Sequence, residues 1–169
     1  YDQMVAAGLF HGEHVELFRG ELVTTSPVGC SHSVVVTNLY RFFDRRVAAG
    51  SIVRSQQPLV CADDSEPEPD LAIVARGPHL REHPAAAALV IEVAESSREY
   101  DLGAKAALYA QSAVDEYWVI DLERQVIVIH RDRADGGWRS IEPHGRDVVV
   151  AAHTLPDAGL SLAQLLADG

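Results

Sequence analysis

The 169-residue sequence predicts a mixed α/β (α+β) fold, a central β-sheet flanked by helices. Three observations carry this. Residues 70–75 (DLAIVA) and 89–94 (LVIEVA) are near-continuous apolar runs of strand length, as in strands covered on both faces. Val36, Leu39, Phe43 and Val47 recur at steps of three and four, so residues 31–49 read as a helix stopped by Gly50. Residues 115–121 (DEYWVID) and 125–131 (QVIVIHR) are two strand-like runs spaced as a hairpin.

The remaining elements follow in order. Residues 1–8 read as a short helix closed by Gly8. Residues 15–25 read as two strands around Arg19-Gly20. A two-residue turn there sets Phe18 opposite Glu21 and Glu16 opposite Val23, so Glu16 and Glu21 share a face. Residues 52–61 read as a strand whose Pro58 marks an edge or a bulge. An acidic, proline-bearing loop spans 63–69, and a helix spans 101–111. Residues 148–151 are a last strand and 160–166 a short terminal helix. With no repeat and no low-complexity linker, 1–169 is expected to form one domain.

Composition narrows the function. The longest unbroken apolar run, 85–91, has seven residues, far short of the roughly 20 that a membrane helix needs. No charged segment followed by an apolar one opens the sequence, so no signal peptide is expected and a cytoplasmic location is the default. A net charge of -11 opposes a general basic surface for nucleic acid, though not a local, cation-bearing site. Cys30 and Cys61 form no CxxC and read as small packed residues. Thirteen of the 14 basic residues are arginine, and Lys105 is the only lysine.

The chemistry points to two acids and that lysine. Glu92 interrupts the most apolar strand, where a carboxylate is costly unless paired, neutralised or bound to a cation. Asp70 opens the other buried strand, 22 positions earlier. Two acids so placed can converge on a hard cation, and oxygen ligands suit Mg²⁺ or Mn²⁺. Lys105 follows on the next helix, one turn after Asp101. It reads either as an ordinary i,i+4 partner or as an ammonium that positions a water or stabilises an oxyanion.

Several segments then agree in order and spacing: VELFRGELVTTSP, His32, EPDLAIV, VIEVAESSREYDLGAKAALYA and VDEYWVIDL. From about Val15 to Arg131 the sequence resembles the Uma family of restriction-endonuclease-like proteins, a branch of the PD-(D/E)XK nuclease superfamily. The resemblance implies a restriction-endonuclease-like fold: a central mixed sheet between helices, preceded by an N-terminal β-hairpin. It implies a metal-dependent nuclease acting on DNA, with Asp70, Glu92 and Lys105 as the catalytic set. It implies Mg²⁺ or Mn²⁺ held by Asp70, Glu92, the Val93 backbone carbonyl and either Glu16 or Glu21, and a polar role for His32. It also makes a homodimer an expectation. The superfamily's lysine position, two after Glu92, is Ala94 here; the resemblance implies that Lys105 takes its place.

The competing reading is a non-catalytic protein of the same fold serving as an interaction or regulatory module, which the -11 charge would suit. Self-association through residues 115–121 or the hairpin beyond is a third. A zinc site at His11/His14 or His79/His83 lacks a cysteine pair or third ligand nearby, so those residues read as exposed loop histidines. His130, Tyr109, Tyr117 and Trp118 read as core. Arg41, Arg45, Arg46 and Arg54 read as solvated surface, with phosphate contact the alternative.

Overall fold

The computed structural model describes residues 1–11, 13–24 and 29–167. α1 (Asp2–Ala6) leads to a hairpin of β1 (Val15–Phe18) and β2 (Glu21–Thr24), then α2 (Cys30–Asp44) and β3 (Ser51–Arg54). β4 (Leu71–Ala75), the short β5 (Ala86–Ala87) and β6 (Leu89–Ala94) follow. α3 (Arg98–Tyr100) runs through a π-helical turn, Asp101–Lys105, into α4 (Ala106–Gln111). Next come the short β7 (Ala113–Val114), then β8 (Tyr117–Asp121), β9 (Val126–Ala134) and β10 (Gly137–Gly145). β11 (Val150–Ala151), β12 (Gly159–Leu160) and α5 (Leu162–Leu165) complete the described elements.

The main sheet has six strands in the order β10-β9-β8-β6-β4-β3. β6 and β8 run parallel, which requires a crossover, and α3 to α4 supply it. The other neighbours are antiparallel. Side chains alternate along each strand, so two cores form. Leu89, Ile91 and Val93 pack with Leu39, Phe43 and Trp118 beneath α2 and α5. Val90 and Ala94 face the other way, with Tyr109, Tyr117 and Val119 under α4. Glu92 shares the parity of Val90 and Ala94, so it points at α4.

The hairpin has the expected register: Glu16 faces Val23 and Phe18 faces Glu21. Arg19 (φ 50) and Gly20 (φ 79) both take the left-handed conformation that a tight two-residue turn demands. The predicted end of this hairpin at Thr25 lies outside the described residues.

Other elements depart from the sequence reading. α2 ends at Asp44, well before 49, where Asp44-Arg45-Arg46 offers no apolar face. Val47 still reaches the core, from a turn in which Arg46 and Val47 both donate to Phe43 O (2.9 Å each). β3 is cut to four residues because Gln56 (φ 51) turns the chain and Pro58 has no donor. The acidic loop is not solvated throughout: Ser65, Glu66, Pro67 and Pro69 are buried, and Glu66 N donates to Leu17 O (2.7 Å). β10 had no sequence signal, being an edge strand that leaves most side chains exposed and tolerates Pro143. The last predicted strand shrinks to β11, outside the main sheet. Cys30 is exposed rather than packed. β8 is paired on both sides, so residues 117–121 offer no free edge for self-association.

Ile91 is fully buried at the middle of β6. Ile91→Ala should therefore cost about 2–5 kcal/mol through lost burial and a cavity. Urea unfolding should show a lower midpoint with an unchanged slope.

Candidate active site

The β4–β6 ladder runs through Ile73↔Leu89, Ala72↔Val90 and Leu71↔Ile91, then stops. Asp70 comes just before β4 and Glu92 just after the last paired residue of β6, so both stand where the ladder ends. Two acids 22 residues apart in sequence thus come within electrostatic reach of each other where the strands part. The Val93 N–H, left without a β4 carbonyl, donates instead to Asp70 Oδ2 (2.8 Å). His32 on α2 donates from Nε2 to the same oxygen (3.0 Å).

Glu92 is approached from the crossover helix. Lys105 Nζ donates to its Oε1 at 2.9 Å, and Tyr109 OH, one turn on, donates to the same atom at 2.8 Å. Lys105 also lies 3.8 Å from Glu16 Oε2 and 4.0 Å from Asp101 Oδ1. The π turn carries both Asp101 and Lys105 into the interior, and such turns recur at functional sites. Tyr117 OH and Ala106 N both donate to Asp101 O, so the widened turn leaves this carbonyl satisfied. Ser97 Oγ donates to the Asp101 carboxylate.

Glu16, Glu92 and Asp101 therefore gather around one ammonium, and Asp70 stands beside them on His32 and the Val93 N–H; the four acids and the lysine are all buried. Burial pushes the Glu92 carboxyl up to about 8, with Lys105 opposing. Burial likewise raises Glu16 and Asp101, again opposed by Lys105. Burial alone would lower Lys105, but Glu92, Glu16 and Asp101 together outweigh it and hold the ammonium above its ordinary value. Burial would lower His32 too, and Asp70 outweighs it. Glu16, Glu92 and Asp101 cannot all ionise beside one lysine in a dry interior, so these three retain protons and titrate as a group.

The structure brings together Asp70, Glu92, Lys105, Glu16 and His32. It does not bring in Glu21, which is exposed on β2. Two participants escaped the sequence reading. Tyr109 was read as core only, although its place four after Lys105 puts both on one helix face. Asp101 was read only as a partner of Lys105. A further buried acid, Glu116, belongs elsewhere: Trp118 Nε1 (2.7 Å), Arg131 Nε (2.8 Å) and His153 N (2.7 Å) all donate to it. His130 is core, as expected, with Nδ1 at 3.3 Å from Tyr117 O. Arg41, Arg45 and Arg46 are exposed. Arg54 is buried, contrary to expectation, and its Nε has no hydrogen-bond partner among the described residues.

The donor set suits a hard divalent cation in its chemistry. It is all oxygen and carries surplus negative charge. Each acid also spends one oxygen on the protein: Glu92 through Oε1 and Asp70 through Oδ2, with no hydrogen bond from the described residues to Oε2 or Oδ1. Among the described residues, however, no three His, Cys, Asp or Glu side chains already stand as a metal cage. Lys105 and His32 hold the acids instead.

A carboxyl raised from 4.5 to about 8 binds its proton more tightly folded than unfolded. Between those values the folded state holds more protons, so stability falls as pH rises. Thermal unfolding of the metal-free protein should show a falling Tm from pH 5 to pH 8. Glu92→Gln should flatten that slope; an unchanged slope would remove Glu92 as its source.

The comparisons with known proteins can now be set beside this geometry. The family model Uma2, described as "Putative restriction endonuclease", matches residues 1–163. A solved structure from Anabaena variabilis ATCC 29413, described as "a putative nuclease belonging to DUF820", has 14% sequence identity. The match covers 91% of this chain and 90% of that one, with a TM-score of 0.74, so the two share a fold. No match is found among curated proteins. No helix among the described residues is long and apolar enough to cross a membrane. With its family model spanning almost the whole sequence, the chain belongs to the Uma2 family of restriction-endonuclease-like proteins.

Proposed function

We propose that this protein is a metal-dependent nuclease that hydrolyses phosphodiester bonds in DNA. The carrying observation is the convergence of Glu16, Glu92 and Asp101 on one buried lysine, with Asp70 held beside them by His32 and the Val93 N–H. An acid cluster that merely braced the fold would resemble Glu116, whose two oxygens are both taken by donors. Here one oxygen of Asp70 and one of Glu92 accept no hydrogen bond from the described residues.

Asp70, Glu92 and Glu16, with the Val93 carbonyl, would hold Mg²⁺ or Mn²⁺. When bound, such an ion lowers the pKa of a water and neutralises charge on the phosphoryl oxygens. The chain's own groups do the rest. His32 and the Val93 N–H fix the Asp70 carboxylate through one oxygen, leaving the other to face the ligand. Lys105 stays protonated beside its acids and presents a compact charge for orienting the attacking water and stabilising the developing oxyanion. Tyr109 fixes Glu92 from behind.

Two measurements test this. Mn²⁺ titration by calorimetry should give saturable binding that disappears in Asp70→Asn. It should weaken at least tenfold in Glu16→Gln and persist in Glu21→Ala, since only Glu16 reaches Lys105. Plasmid cleavage with Mg²⁺ should likewise be lost in Asp70→Asn. Cleavage that survives this substitution would sink the catalytic assignment. A protein that neither binds Mn²⁺ nor cleaves DNA would be an interaction module of this fold.

A further inference from the structure

The nuclease reading leaves unexplained a cleft of about 440 Å³ on the α2 side of the sheet. α2 forms one wall with His32, Val36, Tyr40 and Arg41; Ser55 and Gln56, just past β3, form the other. The cleft begins at the acid cluster, because His32 is the residue bonded to Asp70.

Three observations indicate a ligand. His32 is more than nine-tenths buried, yet its Nδ1 has no hydrogen-bond partner among the described residues. This nitrogen belongs to a side chain lining the cleft, and a buried ring nitrogen left unpaired is costly unless something else meets it. Gln56 holds a left-handed backbone (φ 51), a strained state for a non-glycine residue. It is pinned there by its N–H to Pro69 O (3.0 Å), beside Ser55, whose hydroxyl donates to Asp70 O (2.9 Å). The wall of the cleft is thus tied to the backbone that sets Asp70. Finally, charge is distributed against the chain's average. Residues 29–60 carry four arginines and one aspartate in a protein of net charge -11.

We infer that this cleft seats one unpaired nucleotide of the substrate strand, next to the bond to be cut. This rests on the nuclease reading and adds a substrate class to it: single-stranded or locally opened DNA. Tyr40, 39% exposed, offers a ring for the base to stack on, with Val36 beside it. Arg41 meets the adjoining phosphate, and Gln56 supplies hydrogen bonds. The volume lies in the range of small-ligand sites, roughly 300–1,000 Å³, enough for a nucleotide and far short of a duplex. A duplex would also bring a second row of phosphates to a protein of net charge -11.

The test is fluorescence anisotropy with a fluorescein-labelled single strand of about 15 nucleotides, in EDTA. The wild type should bind it. Tyr40→Ala should weaken binding by roughly tenfold, the loss of one base stack. Arg41→Ala should weaken it severalfold and lower the salt slope by about one phosphate. Arg139→Ala, an exposed arginine on β10, should bind as the wild type does. No binding by the wild type, equal binding by Tyr40→Ala and Arg41→Ala, or equally tight binding of a duplex of the same sequence would each overturn the proposal. Because the assay needs neither metal nor turnover, it separates the two readings. Strand binding that depends on Tyr40 in a protein that never cleaves keeps the cleft and removes the hydrolysis. Cleavage with binding indifferent to Tyr40 and Arg41 removes the cleft and keeps the hydrolysis.

Discussion

Lys105 is the counter-charge on which the buried acids depend. Its ammonium lies 2.9 Å from Glu92, 3.8 Å from Glu16 and 4.0 Å from Asp101. These contacts tie together three parts of the chain: the N-terminal hairpin, the central strand β6 and the crossover helix. Removing one partner from a buried ionic group typically leaves an uncompensated charge that costs several kcal/mol. Burial, opposed by Lys105 and reinforced by the neighbouring acids, leaves Glu92 holding its proton more tightly than a free carboxyl. A protein selected for stability alone would do better with apolar residues at these positions. The cluster is therefore better understood as a site kept poised than as a brace.

Where the strands part decides which residues make the site. β4 and β6 share only three paired positions before their ladder ends. Beyond that point the backbone of β6 still pairs with β8 on its other side, so Glu92 and Val93 stay in rigid extended structure. A carboxylate from Asp70 takes over the bond that β4 would have supplied. Glu16 and Glu92 thus stand on regular strands, and Asp70, in the bend before β4, is tied to them through the Val93 N–H. The hairpin then closes one side, anchored where Glu66 N meets Leu17 O and Gly20 N meets Asp64 O (2.8 Å).

How much of this the sequence discloses depends on whether burial leaves a periodic trace. β6 is buried at all six positions, and its predicted and observed bounds coincide. The Arg19-Gly20 hairpin was legible because a turn dipeptide fixes register. β10 was invisible because an exposed edge strand needs no apolar alternation. The early end of β3 depends on the backbone of Gln56, which no pattern of side chains announces. In the site, Asp70 and Glu92 stood out as charges in apolar runs, and Lys105 as the one lysine. Their convergence did not follow from spacing; it follows from the β4–β6 register. Asp101 and Tyr109 stayed hidden because each had an adequate local explanation, as an ion-pair partner and as a core aromatic.

The uniqueness of Lys105 also shapes the outside of the molecule. With the only lysine enclosed, every exposed side-chain cation in the described residues is a guanidinium or an imidazole. No side-chain primary amine stands on that surface to be acylated, glycated or conjugated. Arginines keep their charge at any physiological pH and react sluggishly with such electrophiles. The one side-chain amine is shielded by the fold, so reagents that decorate lysine-rich proteins would find no exposed lysine while the protein is folded and would mark its site once it opens.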